Sequence, residues 1–104
     1  MLRDDFYRFC EDQDGQCAYK TNGYSDGDIG LHEEKGCWIA THIPTGMMIT
    51  PTTSRHKSSI YALNEAKRIT AAPEFEERFA KIKKTQMYKA FKQSRDYQSV
   101  WGGF

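Results

Sequence analysis

Apolar residues recur at helical spacing at both ends of this chain and alternate with polar ones between them. Leu2, Phe6, Phe9 and Cys10 stand at i, i+4, i+7 and i+8, which predicts one face of a short helix. Asp4 and Asp5 suit the positive end of its dipole, and it should stop near Gln13, before Asp14 and Gly15. Residues 16–21 alternate loosely, as a strand does, and Asn22-Gly23 then reads as a turn leading into a loop. In residues 28–33, Ile29 and Leu31 share a face between polar neighbours, predicting a half-buried strand that turns at Glu34, Lys35 and Gly36.

The most strongly patterned stretch follows. Two apolar arms, residues 37–43 and 47–50, flank Pro44, Thr45 and Gly46. Proline presets the first central position of a type I turn, and glycine accepts the left-handed conformation that closes it. Large side chains on both faces of the arms predict a hairpin in the middle of a sheet. Residues 51–59 form a polar, cationic loop, either a solvated crossover or a functional segment. A helix over residues 60–70 then puts Leu63, Ala66 and Ile69 on one face, with Ser58 or Ser59 as its cap. Pro73 ends that run and opens a longer helix to about Gln98. Wound at about 100° per residue, the longer helix carries Phe75, Phe79, Ile82, Ala90 and Tyr97 on one side. Lys81, Lys84, Tyr88, Lys92 and Arg95 fall on nearly the opposite side, with Phe91 beside them. The expected fold is a single α+β domain over residues 1–104. It has a three- or four-stranded antiparallel sheet, a short N-terminal helix and two C-terminal helices.

Composition narrows the class. With 38% apolar and 13% aromatic residues the chain reads as a folded, soluble domain, and no apolar run reaches the length of a membrane span. Its opening, Met-Leu-Arg-Asp-Asp, lacks the pattern of a signal peptide, so a cytoplasmic location is expected. The net charge is only +1 but is unevenly spread. Residues 1–50 hold four basic and nine acidic side chains; residues 51–104 hold eleven and five. The chain is therefore electrically two-sided.

That asymmetry supplies two candidate surfaces. Cations spaced along a rigid element suit phosphates, and Tyr88 beside them suits a base or sugar. Arg55, Lys57, Lys81, Lys84, Tyr88, Lys92 and Arg95 are thus the candidate partner- or nucleic-acid-binding set, against the plainer reading of a solvated helix face. Asp4, Asp5, Asp12, Asp14, Asp26 and Asp28 are the candidate acidic surface, one that imitates nucleic-acid phosphates, against solvated acidic loops.

No catalytic residues are assigned. The chain has no glycine-rich phosphate loop, nucleophile elbow or helical His-Glu-His arrangement. Adjacent carboxylates such as Asp4 and Asp5 do not face each other as an acid–base pair must. Cys10, Cys17, Cys37 and His42 make a metal site only by converging in space; otherwise the cysteines are small buried hydrophobes. His42, at the strand parity of Trp38 and Ala40, reads as packed and hydrogen-bonded near the turn. No metal and no cofactor are expected. Trp101 and Phe104 either fold back over the core or form an exposed aromatic anchor.

Trp38, Thr41, His42, Pro44, Thr45 and Gly46, followed by Leu63, Glu65, Ala66 and Lys67 on a helix, resemble a pattern in small phage and prophage accessory proteins. Compact chains of this size also resemble anti-CRISPR proteins. The resemblance spans residues 36–70 and transfers no site residue. It implies a non-enzymatic phage protein that binds and inhibits a host protein or ribonucleoprotein complex handling nucleic acid. The alternative is direct RNA or DNA binding by the basic helix face. An unpaired sheet edge or the aromatic tail would support a homodimer.

Overall fold

The computed structural model describes residues 2–10, 17–49 and 57–101. Among these, five antiparallel strands precede three helices. The strands are β1 (Leu2–Phe9), β2 (Ala18–Asp26), β3 (Ile29–Glu34), β4 (Cys37–His42) and β5 (Met47–Met48), hydrogen-bonded in chain order. The helices are α1 (Ser59–Thr70), α2 (Pro73–Ile82) and α3 (Gln86–Trp101). The α+β class holds, with more strands than expected and with every helix after the sheet.

The first departure is at the start of the chain. Residues read as a helix form β1, which pairs with β2 from Leu2↔Ser25 to Phe9↔Ala18. The helical spacing of Leu2, Phe6 and Phe9 is coincidental, because Leu2 is exposed and Phe6 is the β1 side chain that is fully buried. Aromatic residues sit well in strands, and eight paired positions override a four-residue periodicity.

The second departure is at Asn22-Gly23, which continues β2 instead of turning. A Cβ on Gly23 would run into the Leu31 carbonyl oxygen and meet the Phe6 ring at 2.8 Å. The Phe6 ring is equally close to Gly30. Two positions without side chains let the sheet curl over Phe6, which reaches across β2 toward the ring of His32 on β3, 6.2 Å away. The turn lies instead at Gly27-Asp28, between the paired residues Asp26 and Ile29. The next turn, Lys35-Gly36, falls where expected, with both residues at positive φ as a two-residue type I′ hairpin requires.

The curl brings the first and last strands together: the Phe9 N–H donates to the Gly46 carbonyl at 2.8 Å. The hairpin of β4 and β5 therefore ends the ladder rather than lying at its centre, and β3 occupies the middle. Its turn also differs in detail. Thr45 and Gly46 N–H both donate to the His42 carbonyl, so Pro44 is the second central residue of the His42-to-Thr45 turn, one place later than expected. Gly46 does take the left-handed conformation, at φ +70°.

Alternation along β3 and β4 separates two buried faces. Ile29, Leu31 and Ala40 join Ile49 and the helix residues Ala62, Ala66, Phe75 and Phe79 in the main core, edged by Trp38, Leu63, Ile69 and Ile82. Ala40, Ala62 and Ala66 are fully buried, and such small side chains let α1 lie close to the sheet. The opposite face buries Phe6, His32 and Thr41 inside the curl. The α1 helix starts at Ser59, with Ser58, one of the two anticipated caps, in the N-cap position but without a side-chain capping hydrogen bond. The α2 helix opens on Pro73 with Glu74 and Glu76 in its first turn, as anticipated.

The expected single long helix is two. After Ile82 the chain breaks without glycine or proline, and Thr85 restarts it. The Thr85 hydroxyl accepts the Tyr88 N–H at 3.1 Å, a side-chain N-cap, and donates to the Ile82 carbonyl at 2.6 Å. On one straight helix Phe91 would point about 120° away from Phe79. Both are buried, Phe79 in the main core and Phe91 against Gly46 and Phe9, and the break reconciles them. Tyr97, expected on the apolar side, is exposed instead. From α3, the Ser94 hydroxyl accepts the Cys17 and Ala18 N–H groups, while Gln98 Nε2 donates to the Ala18 carbonyl at 2.6 Å.

Candidate binding groove

A groove of ≈ 590 Å³ lies where α2 crosses the ends of β3 and β4. Its floor is Ile29, His42, Phe75 and Phe79. The Phe residues are one helical turn apart, so α2 delivers both rings to the same place. His42 is stacked on Phe79, with centroids 3.7 Å apart and planes 16° from parallel, and meets the Phe75 ring edge-on at 5.8 Å. Its Nδ1 is hydrogen-bonded to Thr45 Oγ1 at 2.9 Å, which fixes the ring at the groove.

The rim is charged. Asp26 at the end of β2 and Asp28 in the turn after it stand on one side, and Glu76 and Lys83 come from α2 and its C-cap on the other. Asp26 is shared with Lys67 of α1 at 3.0 Å. Burial pushes the His42 pKa below its usual 6.5; nearby Asp28 works against that, and Lys83 adds to it. The ring is thus neutral near pH 7. The groove is lined by a packed aromatic cluster, with Phe75 nearly at right angles to the stacked His42 and Phe79 rings, and carries carboxylates at its lip.

The expected basic set is divided by the helix break. Lys81 lies on α2, Lys84 in the linker, and Tyr88, Lys92 and Arg95 on α3, so no single rigid stripe carries them. Tyr88 is half-buried, and Arg95 is drawn over the Phe91 ring at 5.6 Å with Asp96 beside it at 3.6 Å. Lys57 stands exposed before α1; Arg55 lies outside the described residues. The acidic set is dispersed as well. Asp4 and Asp26 point to opposite faces of the sheet by register, and Asp4 accepts a hydrogen bond from Ser25 at 3.3 Å. Asp5 is exposed on β1, and Asp12 and Asp14 lie outside the described residues, as does Phe104. Of the described members of the acidic set, only Asp26 and Asp28 reach the groove.

Cys37 and His42 alternate onto opposite faces of β4, so the cysteines and His42 do not converge. Among the described residues no three His, Cys, Asp or Glu side chains cluster as a metal would need. His42 is packed and hydrogen-bonded at the turn, as its parity implied. Phe75, Phe79, Glu76 and Lys83 were not foreseen as site residues; the only sequence signal they carry is an apolar i, i+4 pair, which reads as core.

The fold and groove define a small α+β protein built on a curled antiparallel sheet with a lateral cleft. Comparison with protein-family models, curated proteins and solved structures finds no match to this chain. Among the described residues no helix is long and apolar enough to cross a membrane.

Proposed function

We propose that this is a small non-enzymatic protein of phage type that binds and inhibits a host nucleic-acid-processing complex, in the manner of an anti-CRISPR protein, in the host cytoplasm. The observation that supports this is the groove rim. Asp26, just before the tight Gly27-Asp28 turn, and Asp28 within it stand with Glu76 beside an aromatic lining, carboxylates set out where a basic, phosphate-binding surface would meet them. The test is titration of the purified chain into CRISPR effector complexes cleaving target DNA. Inhibition should saturate at one chain per complex and weaken for Asp28→Lys. Absence of both inhibition and a stoichiometric complex sinks the proposal.

Direct nucleic-acid binding is favoured by one observation. Lys81, Lys83 and Lys84 are all exposed at the α2–α3 junction. This reading expects gel-shift affinity that falls steeply with salt and weakens for Lys84→Glu with Lys92→Glu. Salt-insensitive or absent binding removes it.

A further inference from the structure

We propose that the groove between α2 and the β2–β3 turn is an arginine-reading subsite, taking the guanidinium of an arginine presented by a protein partner. A guanidinium is planar and weakly hydrated, stacks on aromatic faces, and pairs bidentately with carboxylates. The groove supplies both halves of that recognition. Phe75, Phe79 and His42 form its floor, and the ring of His42 is held in place by Thr45. Asp28 and Glu76 stand on facing sides of the lip, from the hairpin turn and from α2. A space of ≈ 590 Å³ exceeds one side chain, so it admits the arginine together with part of its backbone.

Charge selects the occupant. Asp26 is already paired with Lys67, which leaves Asp28 and Glu76 against Lys83, a net negative lip. The neutral His42 adds no opposing charge near pH 7. A lysine would satisfy the carboxylates but gain less from the aromatic lining, because its ammonium is compact and strongly hydrated. An aromatic residue would use the floor and leave the carboxylates unpaired. Arginine alone uses both. The assignment rests on the inhibitor reading only for which protein supplies the arginine; nucleic-acid-processing complexes line their grooves with that residue.

The test is NMR titration of the intact chain with a hexa-arginine peptide, and with citrulline and lysine peptides of equal length. Arginine should shift resonances of Asp28, His42, Phe75 and Phe79. Citrulline, with the same shape and no charge, should bind at least tenfold more weakly, and lysine should fall between. Asp28→Asn with Glu76→Gln, both exposed positions, should cost at least tenfold in arginine affinity, and Lys83→Ala should tighten it. Equal binding of citrulline, shifts centred away from the groove, or indifference to both variants overturns the proposal. Arginine binding here without inhibition of any complex retires the inhibitor reading and leaves the subsite. Inhibition untouched by the double variant does the reverse.

Discussion

The ring of Phe91 fills the space into which a side chain on Gly46 would project. Gly46 stands at φ +70° and its carbonyl accepts the Phe9 N–H, so this contact lies on the seam where β1 meets β5. Phe91→Ala should cost about 3–5 kcal/mol, as for other buried aromatics. Gly46→Ala adds a steric clash to a left-handed backbone strain of about 1–2 kcal/mol. In the Phe91→Ala background the clash with the ring is gone, leaving the backbone strain and a 3.0 Å approach to the Phe9 nitrogen, so the two losses should not add in urea denaturation. Additive losses would mean that the ring and the glycine are not in contact.

Gly23 makes a different demand. Its backbone is not left-handed, yet the Leu31 carbonyl leaves no room for a Cβ. Gly23→Ala should lower the denaturation midpoint clearly, while Gly27→Ala at the open turn should cost only its positive-φ strain. A neutral Gly23→Ala would indicate that β2 does not bend over β3 here.

Thr85 is an exposed N-cap whose hydroxyl accepts the Tyr88 N–H. Thr85→Ala should cost about 1 kcal/mol, and Thr85→Ser much less. Hydrogen exchange at the start of α3 should quicken in the alanine variant, with α2 unaffected. Equal quickening in both helices would point to one continuous helix.

Acid should destabilise the fold before its carboxylates titrate. His32 is buried, with Nδ1 unpartnered and Nε2 3.5 Å from Glu34. Burial lowers its pKa below 6.5, Arg8 adds to that, and Glu34 opposes it; burial also lowers that of His42. The unfolded chain therefore takes up protons at a higher pH than the folded one. Full stability should be present above about pH 6.5 and be lost progressively as pH falls from there toward the folded pKa values. Thermal midpoints between pH 7 and 5 check this, and a variant carrying His32→Gln and His42→Gln should show a flatter profile. An unchanged slope in that variant refutes the assignment.

The resolved backbone explains which expectations survived. The Lys35-Gly36 turn, the left-handed Gly46 and the starts of α1 and α2 at Ser59 and Pro73 all depend on a few adjacent residues. Each is a constraint on local φ, ψ or hydrogen bonding, and such constraints are legible without knowing the fold. The misread elements, β1 and the α2–α3 break, share another origin. Leu2, Phe6 and Phe9 fit a helix as well as a strand until β2 supplies eight partners. The run from Pro73 onward is a good continuous helix until Phe79 and Phe91 need different burial sites.

The candidate site is legible in the same unequal way. Asp26 and Asp28 stand out in the sequence as members of an acidic half, and His42 as a residue packed at a turn. Nothing local joins them to Phe75, Phe79 and Glu76, more than thirty positions further along. By itself the sequence determined the α+β class, the Lys35-Gly36 turn, two helix starts and the division of charge, because these follow from nearby residues and composition. The tertiary structure decided the curl of the sheet, the broken helix and the groove. Those depend on which distant side chains share a volume, and close packing of Phe6, Phe79 and Phe91 settles that only once the chain is folded.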